Sequence, residues 1–443
     1  MEMVLQAKDA VEWTYRAEGA VNLVLAYCGD SPNFMGKVLR IQKVSRNGSN
    51  YGNGHSALTN HEYVLWGGVT GIASAPTREI VEQLYVQQIM CPLLGSEHVD
   101  AGIRINVSRE FLEAVENRVL HSRPSWRVDD AKVNLLCDSV LLIADHSIFP
   151  FGMFKEDFCI SVEIKPKCGF LPTSRFIAEE NAIKKRITRF QMHQVLRLRQ
   201  GKISQISKYN PLDLYSGSKD GVQKAINSLF LTPQNNFRVF VNGELVFGGN
   251  LDGVDTSSHI ADQEFDDALK HVIIAKDGMK ANHFLELVAE AVFNSGLLNR
   301  LLEVQKLDVI DIEGAIHAYY DIISQPCVVC REKGEEILTG KYSSLHSLPM
   351  HERLKIVRDY LISATAKDLS MMISFGSKSN MDQGSSHNVV YLHSTDQSFH
   401  YKASFIDLDV KPLKKMEYYY ELDQQIVRNF SESKEFENGE LSK

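Results

Sequence analysis

Positive charge is in short supply. Forty-eight lysines and arginines face 56 aspartates and glutamates, for a formal net charge of −8. A balance of that sign argues against a general nucleic-acid binder or a protein held on anionic membranes. The longest apolar runs also fall far short of the roughly 20 residues that a membrane-spanning helix needs. Residues Met1 to Asp9 have no basic start followed by an apolar stretch, so no secretory signal is expected. Cysteine is sparse and odd in number, 7 in 443 residues, with only Cys327 and Cys330 closely spaced. That excludes a disulfide framework and fits a reducing cytoplasmic or nuclear compartment. What remains is 44% hydrophobic and 23% charged, an ordinary globular composition with length for two or three domains.

Any polyanion site must therefore concentrate basic residues locally, and one stretch does. From Phe158 onward, Ile160, Val162 and Ile164 alternate with Ser161, Glu163 and Lys165, the period of a half-buried strand. Glu163 and Lys165 share a face, joined by Lys167 if the chain stays extended past Pro166. Proline cannot donate to a ladder, so the strand is an edge or ends there. One carboxylate between two ammonium groups suits a nucleotide, or a metal beside a polyphosphate. A solvated edge face with Glu/Lys pairs is the competing reading.

Upstream, Asn22–Tyr27 and Lys37–Ile41 read as a hairpin around Gly29-Asp30-Ser31-Pro32-Asn33. The loop before it, Ala17 to Asn22, holds one glycine. Residues 46–60 read as a mobile Gly/Asn/Ser loop, and a helix is expected from Thr77 to Met90. Trp126-Arg127 opens a strand region, and Val140–Ala144 is a buried strand. A helix over 178–199 carries Arg186, Arg189, His193 and Arg197 on one stripe, beside an apolar stripe of Ile183, Ile187, Phe190 and Leu198. Asn242-Gly243 between two alternating runs is the strongest hairpin signal in the chain. An irregular insertion over 249–264 and helices over 265–323 follow.

His317, Cys327-Val328-Val329-Cys330 and His346 could close a tetrahedral set of two nitrogens and two sulfurs for zinc. The spacing is not that of a zinc finger, and His351 competes with His346. Reduced surface cysteines or a redox pair fit the spacing too. A helix over 351–365 delivers Lys367-Asp368 to a strand over 369–375, where an acid is commonly a cap or turn residue. Residues 376–388 read as disordered. Phe405–Lys411 alternates, placing Asp407, Asp409 and Lys411 on one face. Pro412 takes a favoured first-turn position, so Lys411, Lys415 and Tyr419, four apart, share a helix face. The polar, acidic residues 431–443 are expected to be a disordered tail.

Glu163-Ile164-Lys165-Pro166-Lys167 running into Cys168-Gly169-Phe170-Leu171-Pro172 resembles the signature of the inositol-pentakisphosphate 2-kinases. The similarity extends from Tyr15 to about Tyr420, and the run from Glu163 to Phe176 is plant-like. The resemblance implies ATP-dependent phosphorylation of the 2-hydroxyl of inositol 1,3,4,5,6-pentakisphosphate, giving the hexakisphosphate. It implies a two-lobed α/β (α+β) kinase-like fold, with a nucleotide lobe over 1–147 and a larger inositide lobe with structural zinc over 148–430.

The resemblance also implies roles. The nucleotide would meet Gly19, Ala20, Val21 and Asn22, in a loop poorer in glycine than the family's. It would also meet Arg40, where protein kinases place a lysine, the hinge residues Asp145 and His146, and Glu163, Arg238 and Asp407. Asp407 would hold magnesium. Substrate would meet Arg127, Lys165, Lys167, Arg197, Asn235, Lys411, Lys415 and Tyr419. Arg197 stands where lysine is common, and Lys415 where arginine is; both exchanges alter the geometry of a phosphate contact. Asp368 is the implied catalytic aspartate, with Lys165 beside it. His317, Cys327, Cys330 and, in preference to His351, His346 would hold zinc. The expected ligands are ATP, Mg2+, Zn2+ and an inositol polyphosphate, with no nucleic acid and no membrane, on a monomer.

Overall fold

The computed structural model describes residues 4–46, 57–149, 159–248, 261–333, 341–377 and 388–440. Asn242 and Gly243 turn at φ of 50° and 81°, the left-handed pair that a tight hairpin needs, joining strands β9 (Phe237–Val241) and β10 (Glu244–Phe247). This hairpin edges a six-stranded antiparallel sheet in the order β10-β9-β8-β11-β13-β12, with β8 Cys159–Ile164, β11 Ser370–Ser377, β12 Asn388–Leu392 and β13 Gln397–Ile406. A second sheet runs β1-β5-β7-β4-β3-β2, with β6 pairing β4. Its strands are β1 Val4–Leu5, β2 Trp13–Glu18, β3 Asn22–Tyr27, β4 Lys37–Ser45, β5 Ile103–Val107, β6 Ala131–Val133 and β7 Ser139–Ala144. The chain is therefore a mixed α/β protein built on two sheets.

Each sheet buries its own core. Leu23, Leu25, Leu39 and Ile41 of the first sheet pack against Phe111, Leu112 and Val115 of the Arg109–Val119 helix. The larger core joins Ile160, Val162 and Ile164 of β8 to Met371, Ile373 and Phe375 of β11 and to the helices Lys280–Ser295, Asp311–Ile322 and Met350–Asp368. Residues between Leu58 and Val99, early in the chain, also belong to this larger core. The sheets are tied by Phe405 N–H donating to His98 O at 2.8 Å, and by Arg16, which bonds Gly243 O and reaches Asp145 at 3.0 Å.

Several expectations need correction. Strand β8 is not an edge: it lies between β9 and β11, and all six residues are buried. Pro166 ends it instead. Trp126-Arg127 opens no strand; Ser125–Asp130 is a helix entered through Pro124, and six residues are too few to show a helical period. The 178–199 helix is broken. Glu179–Lys185 is a 3-10 turn, and Thr188 caps a separate helix, Arg189–Arg199, with its hydroxyl accepting from Gln191 N–H. Asp407, Asp409 and Lys411 do not share a strand face, because β13 stops at Ile406 and Asp407 turns left-handed at φ 63°. The last helix begins at Lys415, three residues after Pro412, and its backbone stays helical to Glu440 where a disordered tail was expected. Most of the loop expected over 46–60, the insertion over 249–264 and the stretch 376–388 lies outside the described residues.

One buried charge holds three segments together. Lys184 Nζ lies 2.5 Å from Asp311, 3.0 Å from Glu313 and 2.7 Å from Asp423. Burial raises the Asp311 carboxyl above the usual range although Lys184 pulls it down. Lys184→Ala strands these carboxylates without their cation. It is expected to cost about 3–5 kcal/mol in denaturant unfolding. A loss below about 1 kcal/mol would mean that the group is solvated and carries no such weight.

Candidate active site

The site is built where β8 ends. Glu163 accepts from Ser370 Oγ at 2.8 Å and from Arg238 Nη1 at 3.4 Å, so the polar face of the strand lies under protein and not under water. The Lys165 ammonium is 3.4 Å from Asp407 and 3.9 Å from Glu163. Burial opposes its charge, but these carboxylates win and hold its pKa above the usual lysine range.

After Pro166 the chain does not stay extended. Lys167 sits at φ 61°, a left-handed turn that costs a lysine on the order of 1 kcal/mol. Buried groups hold it there. Tyr209 O–H donates to Pro166 O at 2.8 Å, and Gln305 donates to Lys167 O at 2.9 Å while accepting from Gly169 N–H at 2.8 Å. The turn sends Lys167 toward a different acid, Asp368, 3.9 Å away. Asp368 ends the Met350–Asp368 helix, keeps 62% of its side chain exposed and accepts from Lys411 Nζ at 2.8 Å. Burial works to raise its pKa, but Lys411 and Lys167 outweigh that and the carboxyl stays below its ordinary range.

The cations here crowd one another. Burial, with repulsion from Lys165, Arg197 and Lys411, brings Lys167 down to about 8 despite Asp368. Burial and Lys411 likewise lower Lys415, and burial raises the Tyr419 phenol. His193 is pushed down to about 3 by burial beside Arg189, Arg197 and Lys167, so it stands neutral among them. Lys167, Arg197, Lys411, Lys415, Tyr419 and Asp368 thus share one electrostatic neighbourhood. Asn235 is exposed next to it. Asn236, which the sequence did not single out, is 2% exposed, and its amide has no hydrogen-bond partner among the described residues. Its carbonyl accepts from Lys165 N–H at 3.0 Å, which sets it opposite Lys165 and on the Glu163–Arg238 face. Only this register, invisible without the sheet, could have found it.

The crowding predicts a pH response. The folded pKa of Lys167 lies below the unfolded value, so in the folded chain the ammonium is lost as pH rises through about 8. From there to about 10.4 the unfolded chain binds more protons, and this group makes stability rise with pH. Anion binding needs the charged form. Affinity for a polyphosphate should therefore fall above pH 8, by up to about tenfold per pH unit, with proton uptake on binding. Calorimetry in buffers of different ionisation heat checks this; equal affinity at pH 7 and 9.5 would refute it.

The other residues expected at the site lie on or beside the first sheet. Residues Gly19 to Asn22 turn between β2 and β3, closed by Gly19 N–H donating to Asn22 O at 2.9 Å. A Cβ on Gly19 would meet nothing within 4 Å, so the loop keeps open space there with little glycine. Arg40 on β4 pairs with Asp409 and donates to the Asn22 side-chain oxygen, at 2.7 Å from Nη2, with the amide oriented by its partners. Asp145 is buried and takes Arg16. His146 is pushed down to about 4 by burial, with Lys402 adding to the effect. Among the described residues neither backbone group of His146 has a hydrogen-bond partner, whereas Asp145 N–H is taken by Gly36 O at 2.9 Å. Arg127 stacks its guanidinium 4.1 Å over the Trp126 ring. It lies with Arg123 and Arg238 in the field of Tyr15, whose phenol burial pushes up to about 12.

A second cluster lies apart in the chain. His317, Cys327, Cys330 and His346 bring their ligand atoms within 4.8 Å of one another. Cys330 Sγ is 3.2 Å from His317 Nδ1 and 3.2 Å from His346 Nε2, and Cys327 Sγ is 3.4 Å from His317 Nδ1. Zinc bond lengths in a tetrahedron require S···N edges of roughly 3.5 Å. Asp321 meets His346 Nδ1 at 2.9 Å and so turns Nε2 inward. His351 is 81% exposed on its side chain and outside the cluster.

Ammonium and guanidinium groups thus surround two exposed carboxylates, Asp368 and Asp407. Residues 15–425 match the profile of the inositol-pentakisphosphate 2-kinase family. The chain is 52% identical over 441 residues to the inositol-pentakisphosphate 2-kinase of Arabidopsis thaliana, covering 99% of this chain and 97% of that one. It is 48% identical over 435 residues to that of Oryza sativa subsp. japonica, covering 98% and 97%, and 27% identical over 493 residues to that of Danio rerio, covering 97% and 95%. The chain belongs to the inositol-pentakisphosphate 2-kinase family. No helix among its described residues is long and apolar enough to cross a membrane.

Proposed function

We propose that the chain transfers the γ-phosphoryl group of ATP to the 2-hydroxyl of inositol 1,3,4,5,6-pentakisphosphate, as a monomeric two-lobed kinase. The first sheet would serve the nucleotide, and residues 148–430 the inositide. The observation that carries this reading is Asp368: an exposed, ionised carboxylate held between Lys167 and Lys411, where a polyphosphate would dock. Phosphoryl transfer needs mostly positioning and charge stabilisation, which this arrangement supplies. Lys167, Arg197, Asn235, Lys411, Lys415, Tyr419 and Arg127 would bind substrate phosphates, and Lys165 would bridge them to the transferring group. Substrate phosphates drawing Lys167 and Lys411 away would raise the Asp368 pKa and make it a better acceptor for the hydroxyl proton.

On the nucleotide side, Arg40, Arg238, Glu163 and residues Gly19 to Asn22 would meet the phosphates and ribose, and the backbone of His146, unpaired among the described residues, would read adenine. Asp407 offers a carboxylate that is 56% exposed beside Lys165, which fits a magnesium ion shared with phosphate oxygens. That ion would supply charge neutralisation. The His317, Cys327, Cys330 and His346 set fits a closed structural zinc by donor chemistry, spacing and the Asp321 contact; zinc there would pin the fold and take no part in the reaction.

The test is incubation with ATP, magnesium and a panel of inositol phosphates, with products separated. Hexakisphosphate formed from the pentakisphosphate that carries an unsubstituted 2-hydroxyl is expected. Another positional product, or tight binding without turnover, would overturn the reading. Lys165→Ala and Lys167→Ala should each weaken pentakisphosphate binding by roughly 1.5–3 kcal/mol, the range for charged hydrogen bonds. Unchanged calorimetric affinity in both would mean that these lysines serve only their ion pairs with Asp407 and Asp368.

A further inference from the structure

Beneath the Gly19–Asn22 turn lies an ion network that the proposed chemistry does not use. Glu18 and Lys43 each expose 1% of their side chains and Arg123 exposes none. The Glu18 carboxylate is forked by Arg123, with Nε and Nη2 both at 3.0 Å, and also pairs with Lys43. Each cation then reaches a backbone carbonyl. Lys43 Nζ donates to Gly19 O at 2.9 Å. Arg123 Nη2 donates to Ala131 O at 2.8 Å and to Arg127 O at 3.3 Å, closing the end of the Ser125–Asp130 helix. Arg123 also lies 3.5 Å from Glu116, whose other oxygen takes Val133 N–H at 2.8 Å.

Charges this deeply buried carry a desolvation penalty of several kcal/mol each, and apolar side chains of the same volume would hold the sheet as well. What apolar residues could not do is fix two backbone segments to one carboxylate. One of those segments is the nucleotide turn and the other carries Arg127. We propose that Glu18 and Arg123 are positioning residues that couple seating of the nucleotide phosphates on the Gly19–Asn22 turn to the placement of Arg127 against an inositide phosphate. This rests on the assignment of that turn to ATP and of Arg127 to the inositide. Phosphates drawing on the turn's N–H groups shift Gly19, and its carbonyl carries Lys43 and Glu18 with it. Arg123, forked onto Glu18, then resets the helix end that aims Arg127. The coupling is reciprocal: inositide held by Arg127 should tighten nucleotide binding by the same factor.

The experiment is calorimetric titration of the full chain with inositol pentakisphosphate, with and without a non-hydrolysable ATP analogue and magnesium. In the wild type the analogue should tighten inositide binding by about fivefold or more. In Arg123→Lys, which keeps the charge but loses the fork, and in Glu18→Gln, that factor should fall toward one. The readout is the ratio of inositide affinities with and without the analogue in each variant, so a shift in basal affinity from a displaced Arg127 cancels. A wild-type factor of one, or an undiminished factor in Arg123→Lys, overturns the proposal. Arg127→Ala separates the layers: unchanged inositide affinity there would mean that the assignment beneath the proposal is wrong. A measurement on the wild type needs no variant to fold. The analogue alone should slow amide exchange over residues 124–131 severalfold, and unchanged exchange there would overturn the coupling.

Discussion

Asp368→Asn is expected to lower kcat by about 10²–10⁴-fold, the usual worth of a positioned general base. The substitution keeps the side-chain shape and removes the charge that Lys411 holds at 2.8 Å. A carboxylate that accepts the hydroxyl proton works mainly as charge shifts in the transition state, so the loss should fall on turnover and not on substrate affinity. Affinity should hold or improve, since one negative charge beside a polyanion is gone and Lys167 and Lys411 are released to phosphate. Asp407→Asn should behave differently. Its carboxylate faces Lys165 at 3.4 Å and is the proposed magnesium ligand, so its loss should raise the magnesium-ATP requirement as well as lower the rate. Steady-state kinetics over both substrates separate the two. Wild-type turnover by Asp368→Asn would return the aspartate to the role of a helix-end residue.

Much of this arrangement was legible in the sequence, and the failures have physical causes. The alternation of β8 correctly split Ile160, Val162 and Ile164 from Ser161 and Glu163. It could not tell whether the polar face met water or a further layer of protein, and so left open whether the strand was an edge or merely ended at Pro166; it ends there, as a central strand. The hairpin at Asn242-Gly243 was legible because only those residues accept two left-handed positions cheaply. Lys167 and Asp407 take the same conformation without glycine. Aspartate is enriched there and gave a weak signal, whereas lysine gave none. These two turns decide which acid meets which lysine, and so parity arguments across Pro166 and Ile406 failed. Thr188-x-x-Gln191 was a capping box in plain view, overrun by the long amphipathic pattern around it. Pairs such as Arg40 with Asp409, far apart in the chain, have no local signature at all. The buried Glu18–Arg123 fork, whose partners lie 105 residues apart, has no local signature either.

Removing the proposed zinc is expected to loosen the Cys327–Cys330 segment and the Ser343–His346 turn, while the Asp311–Ile322 helix stays packed in the larger core. The four proposed ligands come from the Asp311–Ile322 helix, the Cys327–Cys330 segment and the Ser343–His346 turn, which also meet where the Tyr342 ring stacks on His317 and where Val329 joins the larger core. Without a metal, burial pushes the Cys330 thiol up to about 12, so the ion must displace a proton, and acidification should release it. Metal analysis should find about one zinc per chain. Cys330→Ala should lose it and, because metal-binding energy is folding energy in such sites, should lower stability by several kcal/mol in denaturant. His346→Ala should do the same, while His351→Ala, 81% exposed and away from the cluster, should leave metal content and melting temperature unchanged. Zinc retained by His346→Ala but lost from His351→Ala would reassign the fourth ligand. Metal-free protein of normal stability would mean that the cluster is two reduced thiols beside two histidines.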